Sequence, residues 1–511
     1  MLSAGSITSS NKKVTILNIV LALIYEAVVV VNGLVVHKLI LGVFGSEING
    51  LVTSIVQFLN LITLLEGGVG GIIKAALYKP LSSGDQSKLS AVYNAAKSFY
   101  RRLAAIYITY GIVLAFAYPF IFKTGFDWYF VSALVAIIAA QTFIQYFFSL
   151  TFKVLITADR KGFFVSIVSI MMQLASLGLS ILVINLFPNV LLLKGVGVGL
   201  FVLQPILYGL YVKKHYKIDK NEPKDPDALK QRWDGFGHNL AYFIHSNTDV
   251  VLITVFCSLL DVSVYGVYFM VISALRTLVS SISTSIAPTM GNILAKGTDA
   301  EKNEAFDIYS FTTNSISTLC FSCGIVLITP FVMVYTKNIT DVDYYHPWLG
   351  YLLMLAEYVY CIRGPYVETA YASGHFRQTV MYAYVEAGLN IAVSVVLVQF
   401  LGLEGVAIGT LIAMIFRLVM HVIYLKRSIL NRPLKKAFIG FFVQIASITI
   451  TFFATYFLNF KVQNYFEWFL FALITGGFSL LSLTVATLIF DRKTLNLTCR
   501  RLFKRTANNE K

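Results

Sequence analysis

Three arginines sit where a helix would have to carry them through lipid. Arg276, Arg363 and Arg417 each fall near the middle of a long apolar run, and Lys153 lies toward one end of another. A charged side chain at membrane depth costs something like 2.5–3.5 kcal/mol on insertion scales, so it usually faces a cavity or a partner. A guanidinium keeps its charge at any physiological pH and holds phosphate oxygens through paired N–H donors. The chemistry open to these four cations is the binding of a polyanion. The alternative for each arginine is an internal ion pair, for instance Arg363 with Glu357 or Glu368 on its own helix. Lys153 could equally snorkel to the interface.

Acidic and imidazole groups share the same depth. Glu26, Asp249 and Glu386 lie well inside their runs, and residues 237–249 are unusually polar for lipid. His238, Tyr242, His245 and Asp249 recur there at helical spacing as one stripe, expected to line water or another bundle. Asp249, His245 and Glu26 are candidates for exchanging H+ or binding Na+ in a transport cycle, against the alternative of an interhelical hydrogen-bond seam. No cofactor, metal-ligand cluster, Ser/His/Asp arrangement or nucleotide-binding loop is expected. Glu66-Gly-Gly-Val-Gly-Gly71 lacks the Gly-Lys-Ser/Thr ending of a phosphate loop and sits inside an apolar run, so it reads as close packing or a kink. Cys320 and Cys323 read as small packing residues, and the cysteines offer no disulfide framework.

The elements that must position these residues are membrane helices. The chain of 511 residues is 57% hydrophobic and 13% charged. Fourteen apolar runs can be read, at about 14–41, 48–76, 103–122, 129–156, 163–186, 196–212, 236–260, 265–293, 307–334, 347–373, 379–400, 405–425, 437–459 and 466–490. Backbone groups in lipid must be satisfied within a segment, so these are helices. With the N-terminus inside, 31 of the 41 Lys and Arg fall in cytoplasmic segments and only Lys123, Lys194, Lys337 and Lys461 in outer loops. Both termini are therefore expected in the cytoplasm. The net charge of +15 is a topology signal, since a nucleic-acid reading would need a basic face on a soluble module. The first run carries Glu26 and no small-residue cleavage site, so it reads as a retained span. Segment 86–103 carries Leu89, Val92, Ala96, Phe99 and Leu103 at helical spacing among basic residues, as an interfacial helix on the cytoplasmic leaflet would.

The chain also repeats itself. Gly195-Val-Gly-Val-Gly199 returns as Gly405-Val-Ala-Ile-Gly409, and Gly45-Ser-Glu-Ile-Asn-Gly50 has a looser echo in Asp261-Val-Ser-Val-Tyr-Gly266. A parallel duplication implies two similar bundles with a cavity at the repeat interface. The expected fold is all-α and polytopic: a six-helix lobe at 1–214, a cytoplasmic linker at 215–234, and a second six-helix lobe at 235–428. Two further helices follow at 429–490, and a basic cytoplasmic tail at 491–511. Charge breaks the symmetry. With local offsets Arg276 falls opposite Asn60, Arg417 opposite Leu207 and Arg363 near Phe148, so the second copy is expected to carry most of the anion-binding charge.

The stretch Gly45-Ser-Glu-Ile-Asn-Gly-Leu-Val-Thr-Ser-Ile-Val-Gln-Phe-Leu-Asn60, continuing through Leu64-Leu-Glu-Gly-Gly68 to Leu77-Tyr-Lys-Pro80, resembles the Wzx-type polysaccharide flippases. These belong to the multidrug/oligosaccharidyl-lipid/polysaccharide exporter (MOP) superfamily. The likeness extends over the whole chain in span number, topology and duplicated halves. It implies a V-shaped, MATE-like pair of bundles that moves undecaprenyl-diphosphate-linked oligosaccharides across a bacterial inner membrane. It also implies a cation-lined cavity, which Arg276 and Arg417 would match, and a polysaccharide polymerase and glycosyltransferases as candidate partners beside the bilayer itself.

Three other functions compete. A drug or cation antiporter on the same fold needs an anionic or aromatic cavity, and three mid-span arginines argue against it. A lipid II flippase would take a related lipid diphosphate in a similarly cationic cavity. A membrane glycosyltransferase or ligase needs large outer loops with acid/base residues, and the longest outer loop here is about 335–346. A non-enzymatic transporter is the expectation.

Overall fold

The computed structural model describes residues 9–122, 125–230, 236–458, 460–498 and 500. Lys123, residues 231–234 of the expected linker and the tail beyond Arg500 lie outside them. Helix is the only regular secondary structure among the described residues, and the chain divides into two compact units, Met1–Asn239 and Leu240–Lys511. This is a multi-pass membrane protein: among the described residues ten continuous helical stretches are long and apolar enough to cross a bilayer.

The first unit contains α1 (Ser9–Asn60), α2 (Val69–Ser83), α3 (Gln86–Ile121), α4 (Trp128–Ile144), α5 (Leu150–Ala158), α6 (Gly162–Leu186) and α7 (Val190–His215). Helix α1 is broken at Gly45, whose φ of 84° a β-carbon would oppose. It runs on through a 3-10 segment (Leu61–Glu66) to Gly67 and Gly68, both left-handed, before α2 starts. The glycine-rich stretch is thus the kink its composition predicts. A π-helical turn, Gln145–Ser149, joins α4 to α5. Tyr100, Tyr107, Leu155 and Tyr208 fill the core of this unit.

Three expectations are corrected here. Residues 86–103 are not an interfacial helix; they are the first turns of α3, and Leu89, Val92, Ala96 and Leu103 are buried in the core formed with α2 and α5. Apolar spacing fits burial in protein as well as burial in lipid, so periodicity alone could not separate the two. The connection after α7 is likewise no free spacer. Asn94 donates from Nδ2 to the carbonyls of Asp219 and Glu222, Lys224 Nζ donates to Ser98, and the Asp225 amide donates to the Ala91 carbonyl. Residues 219–225 are bound along the start of α3. Lys194, expected in an outer loop, lies in the second turn of α7.

Helix α8 (Phe236–Phe256) opens the second repeat. It is followed by α9 (Leu259–Lys296), α10 (Asp299–Tyr335), α11 (Pro347–Ala372), α12 (Phe376–Ser428), α13 (Leu434–Tyr456) and α14 (Tyr465–Phe490). Capping boxes start α9 at Ser258 and α10 at Thr298. Helix α12 contains two spans, separated only by Gly402 at φ 55°, ψ −129°. Dividing α1 and α12 at their glycines and joining α4 to α5 places the fourteen predicted spans, among the described residues.

The last two helices are held by hydroxyls. Ser447 and Thr451 of α13 meet Ser482 of α14 at 2.8 and 2.9 Å, and Ser322 of α10 meets Ser479 at 2.5 Å. Small polar side chains allow this close approach where no hydrophobic effect drives helices together. At one end of the unit His346, the cap of α11, lies 3.2 Å from Glu404 beside the Gly402 break.

Candidate functional site: a buried charge cluster in the second unit

Helices α8, α9, α11 and α12 bring the three arginines into one chemical neighbourhood with two glutamates. Arg276 Nη1 lies 3.1 Å from Glu357 Oε1, and His245 Nε2 approaches the same oxygen at 3.2 Å. Glu386 takes both remaining guanidiniums: Arg363 Nη1 at 3.2 Å on Oε1, and Arg417 on Oε2. Arg363 therefore pairs with neither Glu357 nor Glu368. Both lie on its own helix, at separations of six and five residues that turn them away from it.

Tyr360 links the two groups of charges. Its ring stacks on His245 with centroids 5.2 Å apart, while the guanidinium carbons of Arg276 and Arg363 lie 5.6 and 4.8 Å from its centre. Such cation–π contacts gain strength where water is excluded. Arg276, Arg363 and Arg417 are 8%, 6% and 3% exposed, and Glu357 and Glu386 are fully enclosed. Three guanidiniums share two carboxylates. Glu357 Oε2 and the Nε atoms of Arg363 and Arg417 are buried without hydrogen-bond partners. Unused valences of this kind allow a paired charge to change partners.

Asp249 stands in a second group rich in oxygen. Tyr265 donates to its Oδ2 at 2.9 Å and the Thr410 hydroxyl donates to its carboxylate at 3.0 Å. Asn390 Nδ2 donates to Thr410 Oγ1 at 2.8 Å, leaving Asn390 Oδ1 buried and unpartnered. One helical turn along, Ser394 donates to the Val406 carbonyl. A carboxylate with hydroxyl and amide oxygens suits a hard monovalent or divalent cation better than a soft one. The polar stripe of α8 is not uniform: His245 and Asp249 are buried, whereas Tyr242 is 49% exposed.

Lys153 and Glu26 belong to the first unit and are both exposed. Lys153 borders a small cavity of about 60 Å3 with Tyr25, Gln145, Ser149, Gln173 and Gln204. Sequence reasoning missed Tyr360, Asn390 and Thr410. A signal was available for one: Glu386, Asn390 and Ser394 repeat every fourth residue along α12, a polar stripe in an apolar helix.

The arrangement defines a class, a helical membrane protein with ionisable groups buried inside one bundle. No protein-family profile and no curated protein matches the sequence. Solved structures do match, and this chain shares their fold. The structure titled "Lipid II flippase MurJ, inward closed conformation" superimposes with a TM-score of 0.72 at 16% identity, over 94% of this chain and 100% of that one. The MATE multidrug transporter DinF-BH gives 0.59 at 15% identity, over 83% and 98%. An outward-facing multidrug resistance MATE family transporter of the MOP superfamily gives 0.56 at 13% identity, over 83% and 97%.

Proposed function

We propose that this protein is a flippase for polyprenyl-diphosphate-linked oligosaccharides, moving them from the cytoplasmic to the outer leaflet of a bacterial inner membrane for cell-surface polysaccharide synthesis. The observation that carries the proposal is the cluster of Arg276, Arg363 and Arg417 around two glutamates inside the second unit. A diphosphate headgroup with its sugars cannot enter hydrocarbon bare, because its charge and hydroxyls would lose their water. Phosphate oxygens compete with Glu357 and Glu386 for the guanidiniums, so the headgroup can be taken up and released by exchange of ion-pair partners. The MOP fold agrees with alternating access as the means. The excess of basic residues in alternate loops supports a cytoplasmic placement of both termini.

Two of the coupling candidates, Asp249 and His245, lie in the same unit. Asp249, Asn390 and Thr410 offer oxygens for Na+, and His245 with Glu357 offers a proton-exchange pair. In the first unit Lys153 is a further candidate for binding the anionic headgroup, and Glu26 a further candidate for ion coupling. A polysaccharide polymerase and glycosyltransferases are the partners this function requires.

The likeness to the MurJ structure over nearly the whole chain favours lipid II as a second reading, and a drug exporter on the same fold is the third. Depletion of the protein in its host separates them. Our reading requires lipid-linked oligosaccharide to accumulate on the cytoplasmic side while peptidoglycan synthesis continues. Arrest of peptidoglycan synthesis, with rescue of a lipid II transport defect, would assign the protein to lipid II. Increased drug sensitivity with neither precursor accumulating would favour the third reading.

A further inference from the structure

Two backbone irregularities of the first unit meet at one carboxylate. Glu66 ends the 3-10 segment just before the left-handed pair Gly67–Gly68, and Tyr146 sits inside the π-helical turn of the fourth span. The Tyr146 hydroxyl donates to Glu66 Oε2 at 2.8 Å. Discontinuous membrane helices and π turns both recur where a transporter or enzyme handles a ligand, because each frees backbone and re-aims side chains. Here the two face each other.

The surroundings supply polar atoms with nothing to bind. Tyr100 is fully buried and its hydroxyl has no hydrogen-bond partner. A β-carbon on Gly70 would meet that hydroxyl at 3.4 Å and Glu66 Oε1 at 3.8 Å, so both atoms border the space that glycine leaves open. Tyr107 packs its ring 6.1 Å from that of Tyr146.

Glu66 is also reachable. A cavity of about 420 Å3 runs between the helix break, α3 and the bound connection after α7. Glu66, Gly67, Ser98, Arg102, Lys224 and Asp225 are among the residues lining it. It opens at the end of the unit that carries the basic connection, and it is large enough to hold several waters.

We propose that Glu66 is a proton-exchange site of the first unit, reached from the cytoplasmic side through this cavity. A proton from cavity water bonds to a Glu66 carboxylate oxygen and leaves by the same route, and the Tyr146 hydroxyl holds the carboxylate in place between transfers. The charged and titratable groups facing it are Tyr146 within the π turn, Lys153 beyond it and Tyr100 on α3; Arg102 lines the same cavity, Tyr107 packs on Tyr146, and Lys74 on α2 acts on Lys153. Lys224 and Asp225 stand at the cavity wall, and Glu26 acts on Lys153 from α1. Protonation removes a negative charge that acts on Lys153, so proton uptake changes how strongly that lysine attracts an anion. None of the residues in the arginine–glutamate pairs of the second unit lines this cavity.

Carbodiimide labelling tests the proposal without transport. Dicyclohexylcarbodiimide modifies protonated carboxyls, so the full-length protein in lipid nanodiscs would be labelled across a pH series and the Glu66 peptide quantified by mass spectrometry. Labelling should fall roughly tenfold per pH unit on the alkaline limb of the titration. Tyr146→Phe should displace the profile along the pH axis, and Ser98→Trp, which narrows the cavity, should slow labelling without displacing it. Absence of Glu66 labelling at every pH, or a profile unchanged in Tyr146→Phe, overturns the proposal. Either result leaves the transport reading standing.

Discussion

Arg276 and Glu357 illustrate how a buried pair confuses function with stability. Removing one partner strands the other, and a stranded buried charge costs about 3–5 kcal/mol. Arg276→Ala should therefore lower both glycan export and the melting temperature of the purified protein. The double change Arg276→Ala with Glu357→Gln removes the stranded charge. It should recover most of the melting temperature while export stays at least about tenfold down, as expected if the guanidinium acts on substrate. Recovery of export in the double variant would make the pair structural. The arginines were legible in the sequence because charge inside an apolar run is conspicuous. Their partners were not, since Glu386 lies on a different helix from Arg363, and only the packing of α11 on α12 brings them together.

At the scale of elements, the repeated glycine motif does different work in its two copies. A β-carbon on Gly405 would collide with the Leu397 carbonyl, and one on Gly409 would collide with the side chain and backbone of Ser394. These glycines let the two limbs of α12 touch backbone to backbone. Gly195, Gly197 and Gly199 have no atom within 4 Å of the same position. Gly409→Ala should cost about 1–3 kcal/mol by overpacking, whereas Gly199→Ala should leave thermal stability unchanged or slightly raised. Sequence identity between repeats located both motifs without telling which was compressed, because compression depends on the neighbour across the interface.

The tie between α11 and α12 responds to pH. Its hydrogen bond with Glu404 raises the pKa of His346 above 6.5, helped by Asp343 and Asp261, and the same bond lowers that of Glu404 below 4.5. The histidine contribution is complete below its unfolded value and fades as pH rises through the raised folded value. The glutamate contribution is complete above its unfolded value and fades as pH falls through the lowered one. The pair should stabilise the protein most between about pH 4.5 and 6.5. Melting curves of the wild type and of His346→Gln should converge at alkaline pH and separate in that window.

For the whole molecule, the fold was legible because lipid permits few solutions: apolar runs of sufficient length become helices, and the basic residues orient them. Topology gives a direct check. A fluorescent protein fused after Lys511 should fluoresce and an alkaline phosphatase fused there should be inactive; the reverse would invert the assignment. What composition could not resolve was how segments outside the lipid are used. The start of α3 and the connection after α7 bind each other through backbone and short polar side chains, which carry no hydropathy signal.

Each glycine break, Gly45 in the first unit and Gly402 in the second, has a consequence for anything approaching its own end of that unit. Consecutive spans there join through a single residue, so those joints offer almost no loop for an antibody, a phage or an inserted tag to grip. In the second unit the segment between Thr336 and His346 is a longer irregular stretch, and it ends at the His346–Glu404 tie beside the Gly402 break. An epitope placed within it should be displayed on intact protein. The same insertion at Gly402 would interrupt α12 itself, so antigenicity at that face should map to the few irregular strips of chain and leave the glycine joints silent.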